Sequence, residues 1–190
     1  MDVLKSNSPL IVYLDVKSPY AFISIKPTLA LEQELGLRFD WRPYTLDIPS
    51  YLGSARKEKG AVVESSGRSP KIWNAIRYAY RDARRYAEMQ GYMLKGTEKI
   101  WDSSIANMGI LFVNLYFRER VPAYLEAIYP PFWRRELDIE NIDVVKRCLE
   151  ASGVESVGFD DFLNGEGKQM HDHILAHRFD AGMYLSLIHI

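Results

Sequence analysis

The chain has 190 residues, about the length of one domain with room for an insertion, and a composition of 47% hydrophobic and 26% charged residues excludes intrinsic disorder. Its 24 basic residues nearly balance its 25 acidic ones, so overall charge gives no reason to expect a nucleic-acid or membrane partner. The single cysteine, Cys148, excludes an internal disulfide and a CxxC redox pair, and the lack of long apolar runs leads us to expect a soluble, cytoplasmic protein.

The first 44 residues predict a strand, a helix and a second strand. Residues 10–16 form a nearly continuous apolar run, which is typical of a buried strand in a parallel sheet. Ser18 and Pro19 are a favoured N-cap and first helical residue, and Gly36 is a typical helix stop. Apolar and charged residues then alternate over residues 37–42, which predicts a second strand, parallel to the first.

The rest of the chain is predicted to be mainly helical. Residues 46–69 mix Gly, Ser, Pro and charged residues, and we interpret them as loop with one short helix. Helical periodicity then recurs in a series of segments, residues 72–87, 105–116, 124–133, 142–149, 160–164 and 168–181. The apolar residues within 183–190 are compatible with one last strand, which nothing follows to pair with or cover.

An ordered series of motifs resembles a known family. Residues 12–21, VYLDVKSPYA, resemble the opening of the 2-hydroxychromene-2-carboxylate isomerases and the kappa-class glutathione transferases. Similar segments follow in the same order and at similar spacing, at residues 41–44, 78–87, 132–133 and 137–139. The resemblance extends from residue 10 to about residue 184, and the series as a whole carries it, since no single motif is decisive.

The resemblance implies a particular fold. Both families belong to the DsbA-like branch of the thioredoxin fold, so we expect an α/β protein with a thioredoxin-like (DsbA-like) core and a large all-helical insertion. We assign residues 1–50 to the N-terminal strand–helix–strand of the core, 51–178 to the helical insertion domain and 179–190 to a truncated return to the core.

Ser18 is the candidate catalytic residue. Redox members of the fold carry a CxxC pair where this chain has residues 18–21, and without a thiolate nucleophile the chain should not be a dithiol oxidoreductase. The family uses a hydroxyl at this helix terminus to hold the thiolate of glutathione. Ionising a thiol near neutral pH requires about 2–2.7 kcal/mol, which a helix terminus and one charge-assisted hydrogen bond supply together. The alternative role of Ser18 is that of a helix cap alone.

The resemblance also implies a chemistry and its ligands. Glutathione, as cofactor, would add through its thiolate to an aromatic-ring enone or pyran, after which the ring opens, a bond rotates and the thiolate leaves. The residues expected near glutathione are Pro19, Tyr20, Ser66, Arg68 and Lys71, and those expected near the aromatic substrate are Tyr44 and Tyr78. No metal is expected, and a homodimer is left open. The alternatives are a kappa-class-like glutathione transferase, an inactive DsbA-like fragment that lacks the cis-Pro loop, and a chaperone.

Three positions depart from the family pattern. Arg68 stands where the family often has Asn, and Ala75 stands where it tends to have Lys, with Lys71 or Arg77 as the nearest substitutes. After residue 184 the chain falls out of step with the family, and no proline follows Pro131 to supply the cis-Pro loop. We expect the chain to be a fragment whose last six residues are foreign, and therefore to have low stability when expressed alone.

Four other patterns receive structural interpretations. We expect His171, His173 and His177 to lie on a solvated polar face rather than to bind a metal. Residues 164–168 are interpreted as a turn and not as a phosphate loop. The arginines of residues 77–85 are expected on a solvated helix face, with an anion site as the alternative. Aromatic residues at helical spacing are assigned to the core, with a substrate pocket as the alternative for Tyr13, Tyr20, Tyr44, Trp73 and Tyr78.

Overall fold

The predicted strand–helix–strand start is confirmed by the structure, a computed structural model that describes residues 5–59 and 61–177. Strands β1 (Ile11–Leu14) and β2 (Asp40–Pro43) pair in parallel, with Ile11 opposite Asp40. Helix α1 (Pro19–Leu35) connects them and ends at Gly36, whose φ of 62° is the left-handed conformation that glycine adopts freely. The predicted strand within residues 183–190 and the domain assigned to residues 179–190 lie outside the described residues.

Strand β2 is buried on both faces, although its sequence alternates between apolar and charged residues. Helix α4 (Ser104–Tyr116) packs on it and supplies Asn114, whose Nδ2 donates to Asp40 Oδ1 at 2.7 Å. Arg42 donates to Asp40 Oδ2 from Nε at 3.0 Å and from Nη2 at 2.7 Å. Burial alone would raise the pKa of Asp40, but these bonds and one from Ser6 hold it below its usual value.

The predicted helices are confirmed over their central residues. Four of them, besides α4, follow the core segment: α3 (Pro70–Met89), α5 (Val121–Trp133), α6 (Ile142–Ala151) and α7 (Phe159–Asn164). A 3₁₀ turn at Arg118–Arg120 connects α4 to α5. The last described helix, α8 (Glu166–Ala176), has His177 as its C-cap, and residues 178–181 of the predicted segment lie outside the described residues.

Residues 46–69 were expected to be loop with one short helix, and they contain a hairpin as well. The short helix is α2 (Ile48–Leu52), and strands β3 (Ser54–Glu58) and β4 (Ala61–Ser66) then pair in antiparallel fashion. Every described residue of β4 is exposed, so the hairpin has no buried face that would give the sequence an alternating apolar pattern. The insertion is therefore helical apart from this hairpin.

Aromatic side chains join α1 to the inserted helices in one core. The ring of Phe22 stacks on Trp133 at a centroid distance of 6.2 Å and on Tyr129 at 6.0 Å. Helix α4 crosses this core with nine consecutive buried residues, from Ala106 to Asn114. Cys148 is buried, and burial raises the pKa of its thiol. None of the helices in the described residues is both long enough and apolar enough to cross a membrane.

Candidate active site: a basic cleft beside the N-terminus of α1

A cleft of about 830 Å³ opens at the carboxyl ends of β1 and β2, where parallel α/β sheets commonly bind ligands. Its walls come from the start of α1, from α2, from β3, from α3 and from the segment 96–101. Seven basic side chains line it: Lys17, Lys57, Arg68, Arg77, Arg81, Arg84 and Lys99. Six aromatic side chains line it as well: Tyr20, Tyr51, Trp73, Tyr78, Tyr80 and Trp101.

Ser18 lies in this cleft and also caps α1. Its Oγ accepts a hydrogen bond from the Ala21 N–H at 3.2 Å, and its carbonyl accepts one from Phe22 at 3.1 Å. In the first turn of α1, Pro19 has no N–H and the Ala21 N–H is bonded to Ser18. The Tyr20 N–H has no acceptor among the described residues. A hydroxyl that accepts one bond still has its proton to donate, so capping and anion binding are compatible at Ser18.

The loop that presents Ser18 is fixed by a buried carboxylate. Asp15 is 3% exposed, and its Oδ1 accepts hydrogen bonds from Ser103 Oγ at 2.5 Å and Asn107 Nδ2 at 3.1 Å. Its Oδ2 accepts the Leu46 N–H at 2.7 Å, and Asn107 Oδ1 accepts the Val16 N–H at 3.0 Å. This network could not be predicted from the sequence, because Ser103 and Asn107 reach Asp15 only through the packing of α4.

His171 belongs to the same network, so its assignment to a solvated polar face was wrong. It is 5% exposed, and its Nε2 lies 2.7 Å from Thr45 Oγ1, which accepts a bond from Asn107 Nδ2 at 2.7 Å. Burial lowers the pKa of His171, against the opposing effect of the nearby carboxylates. His173 and His177 pack ring on ring with centroids 4.1 Å apart, and the described residues contain no cluster of three or more potential metal ligands.

Three of the residues expected near glutathione line the cleft, as Ser18 does. Pro19 follows Ser18, and Tyr20 donates from its hydroxyl to Asp82 at 3.2 Å; burial, and then Asp82, raise the pKa of Tyr20. Arg68 donates to the carbonyl oxygens of residues 52 and 53 at 3.1 and 3.2 Å, which fixes its guanidinium 4.8 Å from the ring centroid of Trp73.

The other two residues expected near glutathione lie outside the cleft. Ser66 is exposed at the end of β4, opposite Ser54, and Lys71 is exposed in the first turn of α3. Of the two residues expected near the substrate, Tyr78 lines the cleft with 60% of its surface exposed, whereas Tyr44 is not among the lining residues. The sequence analysis missed Tyr51, Tyr80 and Trp101.

The arginines of α3 lie on an exposed helix face, and most of that face borders the cleft. Arg77, Arg81 and Arg84 are exposed, as expected for a solvated helix face, and they also line the cleft, whereas Arg85 is exposed and lies outside it. One acidic residue, Glu98, lines the cleft, and its carboxylate already pairs with Arg135 at 3.1 Å. The lining therefore carries a large excess of positive charge in a protein whose net charge is -1.

Comparison with known proteins supports the fold and leaves the activity open. No protein-family model matches the chain, and no curated protein sequence is similar to it. Among solved structures, that of a 2-hydroxychromene-2-carboxylate isomerase is similar, with a TM-score of 0.62 and 16% identity over 90% of this chain and 78% of that chain. At this identity the likeness shows the fold, an α/β thioredoxin-like (DsbA-like) core with a helical insertion.

Proposed function

We propose that this protein is a glutathione-dependent isomerase of the 2-hydroxychromene-2-carboxylate isomerase type, acting on an aromatic compound through a glutathione thiolate held by Ser18. The observation that carries the proposal is that Ser18, at the N-terminus of α1, lies in a cleft rich in basic and aromatic side chains. The structural likeness to such an isomerase supports it.

The residues of the cleft fit the chemistry of glutathione. The tripeptide carries two carboxylates and a thiol. Lys17 and Lys99 of the cleft are near carboxylates of the protein, but its other basic side chains form no ion pair among the described residues. Arg77 and Arg81 are two of these, one turn apart on α3. These two arginines would bind the carboxylates, and Ser18 with the Tyr20 N–H would hold the sulfur.

The protein's own contribution is electrostatic and geometric. Bound glutathione supplies a nucleophilic sulfur that adds reversibly to the substrate and so allows bond rotation. The Ser18 hydroxyl donates to the sulfur, and the positive end of the α1 dipole favours its ionised form. Since one hydrogen bond to a charged group contributes about 1.5–3 kcal/mol, Ser18 supplies a large part of the free energy of ionisation.

The aromatic side chains of the cleft suit a flat substrate. Trp73, Tyr78 and Tyr80 come from α3, and Trp101 comes from the segment that precedes α4. Such side chains offer apolar surface to a ring and exclude water from the sulfur. A kappa-class-like transferase would use the same residues and differ in outcome, because its product keeps the sulfur covalently attached.

A calorimetric titration of glutathione at pH 8 tests the role of Ser18. We expect Ser18→Ala to weaken binding by about tenfold or more, the equivalent of one charge-assisted hydrogen bond. The matched control is Ser69→Ala, because Ser69 caps α3 in the same way, accepting the Ile72 N–H at 3.3 Å ahead of a proline, and lies outside the cleft.

Both variants lose a helix cap, worth about 0.5–2 kcal/mol, so only Ser18→Ala should change binding. Absence of glutathione binding by the unmodified protein would overturn the proposed function. With 2-hydroxychromene-2-carboxylate as the assayed substrate, mass spectrometry then separates isomerisation, which leaves the mass unchanged, from conjugation, which adds glutathione.

A further inference from the structure

Lys17, directly before Ser18, has a largely buried side chain at the cleft. Its side chain is 6% exposed and belongs to the cleft lining. Its Nζ lies 3.9 Å from Asp15 Oδ2, which is close enough for an ion pair and too far for a hydrogen bond. An ammonium group carries three donors, and each of them needs an acceptor from the protein, from water or from a ligand.

Asp15 forms its hydrogen bonds with neutral donors and none with this ammonium group. Its Oδ1 accepts bonds from Ser103, from Asn107 and from the backbone N–H of Lys17 at 3.2 Å, and its Oδ2 accepts the Leu46 N–H. Three of these four donors bind Oδ1, and Oδ2, the oxygen nearer to Lys17, is 3.9 Å from Nζ, beyond hydrogen-bond distance. The charge of Asp15 therefore attracts Lys17 without satisfying its donors.

The other charged groups around Lys17 do not satisfy its donors either. The carboxylate of Asp102 is close enough for an electrostatic interaction with Lys17. Its Oδ1, however, accepts hydrogen bonds from Ser104 N at 2.9 Å and from Ser104 Oγ at 2.6 Å. Burial alone would raise the pKa of Asp102, whereas these bonds and the charges of Lys17 and His171 hold it below its usual value. Within residues 5–59 and 61–177, no acceptor lies within hydrogen-bond distance of Lys17 Nζ, which leaves the cleft as the source of one.

We propose that Lys17 Nζ and Ser18 Oγ form an anion-binding pair at the inner end of the cleft. This pair takes one anionic group of the bound ligand, either a thiolate or a carboxylate. Lys17 is thus a second binding residue for the ligand, beyond the role given to Ser18. The identity of that ligand as glutathione rests on the proposed function, whereas the anion site itself does not.

The site is tested without glutathione by NMR of the lysine ammonium groups, using sulfate as the probe. The Lys17 signal is assigned by its loss in Lys17→Met, a substitution that keeps the length of the side chain and removes its charge. Sodium sulfate, added at constant ionic strength, should shift this signal in a saturable way. The control is Lys146, which already pairs with Asp160 and lies outside the cleft. Equal, non-saturable shifts at both lysines would overturn the proposal.

Titrations with glutathione identify which anionic group Lys17 binds. Glutathione and S-methylglutathione, which has no thiolate, are titrated at pH 8 into the unmodified protein, Lys17→Met, Lys17→Arg and the control Lys146→Met. A loss of about tenfold or more for glutathione alone assigns Lys17 to the thiolate, and an equal loss for both compounds assigns it to a carboxylate. Lys17→Arg, which keeps the charge, should retain most of the affinity.

The experiments distinguish failure of the proposal for Lys17 from failure of glutathione as the ligand. Unchanged affinities in a folded Lys17→Met, with its thermal transition preserved, would overturn the proposal for Lys17. Absence of binding by the unmodified protein would overturn glutathione as the ligand, while the sulfate experiment would still decide the anion site.

Discussion

At the scale of single residues, the buried imidazole of His171 should make stability depend on pH. Burial places its pKa below the ordinary value of 6.5, so between these two values the unfolded chain binds a proton that the folded protein does not. Stability therefore rises with pH across this window and falls as the solution is acidified. The groups that face His171 are Asp15, Asp102, Asp172 and Lys168, and the three carboxylates oppose the effect of burial without reversing it.

We expect the free energy of unfolding in urea to fall between about pH 7.5 and pH 5, and to fall less in His171→Gln. Glutamine can keep a hydrogen bond to Thr45 without titrating, and the window lies above the range in which the low-pKa carboxyls Asp40 and Asp102 titrate. Equal losses in the two proteins would show that His171 is not the source of the pH dependence.

The role of a single residue could be predicted from the sequence only where its partners are close in sequence. Ser18 was predicted as a cap because Ser and Pro at a helix start act within one turn. The burial of Lys17, Asp15 and His171 could not be predicted, because their partners come from three distant segments. A charged residue in such a segment is indistinguishable in sequence from one in solvent.

At the scale of elements, the approach of α4 and α5 depends on one glycine. A Cβ added at Gly109 would lie 2.0 Å from Tyr124 Oη and 2.7 Å from its Cζ. Tyr124 is fully buried and donates to the Ala106 carbonyl at 3.0 Å, so it cannot move aside without losing that bond.

We expect Gly109→Ala to lower the free energy of unfolding by about 2–4 kcal/mol, the sum of overpacking and a lost buried hydrogen bond. Tyr124→Phe removes the Oη that is nearest to the new Cβ, so the double variant should be less destabilised than the sum of the two single variants. Strict additivity in urea titrations would contradict the steric explanation.

The β3–β4 hairpin should be dispensable for folding and needed for ligand binding. None of its described residues is buried, but Ala55 and Lys57 form part of the cleft wall. Gly53 and Gly67 come together where the hairpin begins and ends, since a Cβ on Gly67 would lie 3.4 Å from the Gly53 Cα. A short linker can therefore join them.

We expect replacement of residues 54–66 by two glycines to change the free energy of unfolding by less than about 1 kcal/mol. Glutathione affinity should fall, because one wall of the cleft is removed. Cooperative unfolding lost together with the hairpin would show that it stabilises the core after all.

Helices were easier to predict than this hairpin for a physical reason. The inserted helices carry apolar residues every three or four positions because each buries one face in the shared core. The strands β3 and β4 bury no face, so nothing in their sequence marks the period of a strand.

At the scale of the whole molecule, charge is distributed unevenly. The chain has a net charge of -1, yet the cleft collects seven basic side chains and one acidic side chain that is already paired. Composition alone could not predict this, because the basic residues come from α1, β3, α3 and the segment 96–101, which only the fold brings together.

We expect 1-naphthoate to bind the cleft and to quench the fluorescence of Trp73 and Trp101, which line it. Raising the NaCl concentration from about 0.05 M to about 0.5 M should weaken this binding, because salt screens charges separated by more than a few ångströms. Neutral 1-naphthalenemethanol is the control and should show no such decrease. Equal salt dependence of the two compounds would mean that the aromatic walls, and not the charge, govern binding.

The carboxylate of Asp15 has a consequence for biosynthesis. Its donors Ser103 and Asn107 lie 88 and 92 residues further along the chain, so the ribosome releases the loop of Ser18 long before the side chains that fix it are made. We therefore expect the nascent strand, helix and strand to become fully ordered only after α4 has emerged from the exit tunnel. During translation the cleft is therefore one of the later parts of the fold to become ordered, although Ser18 is among the first residues synthesised.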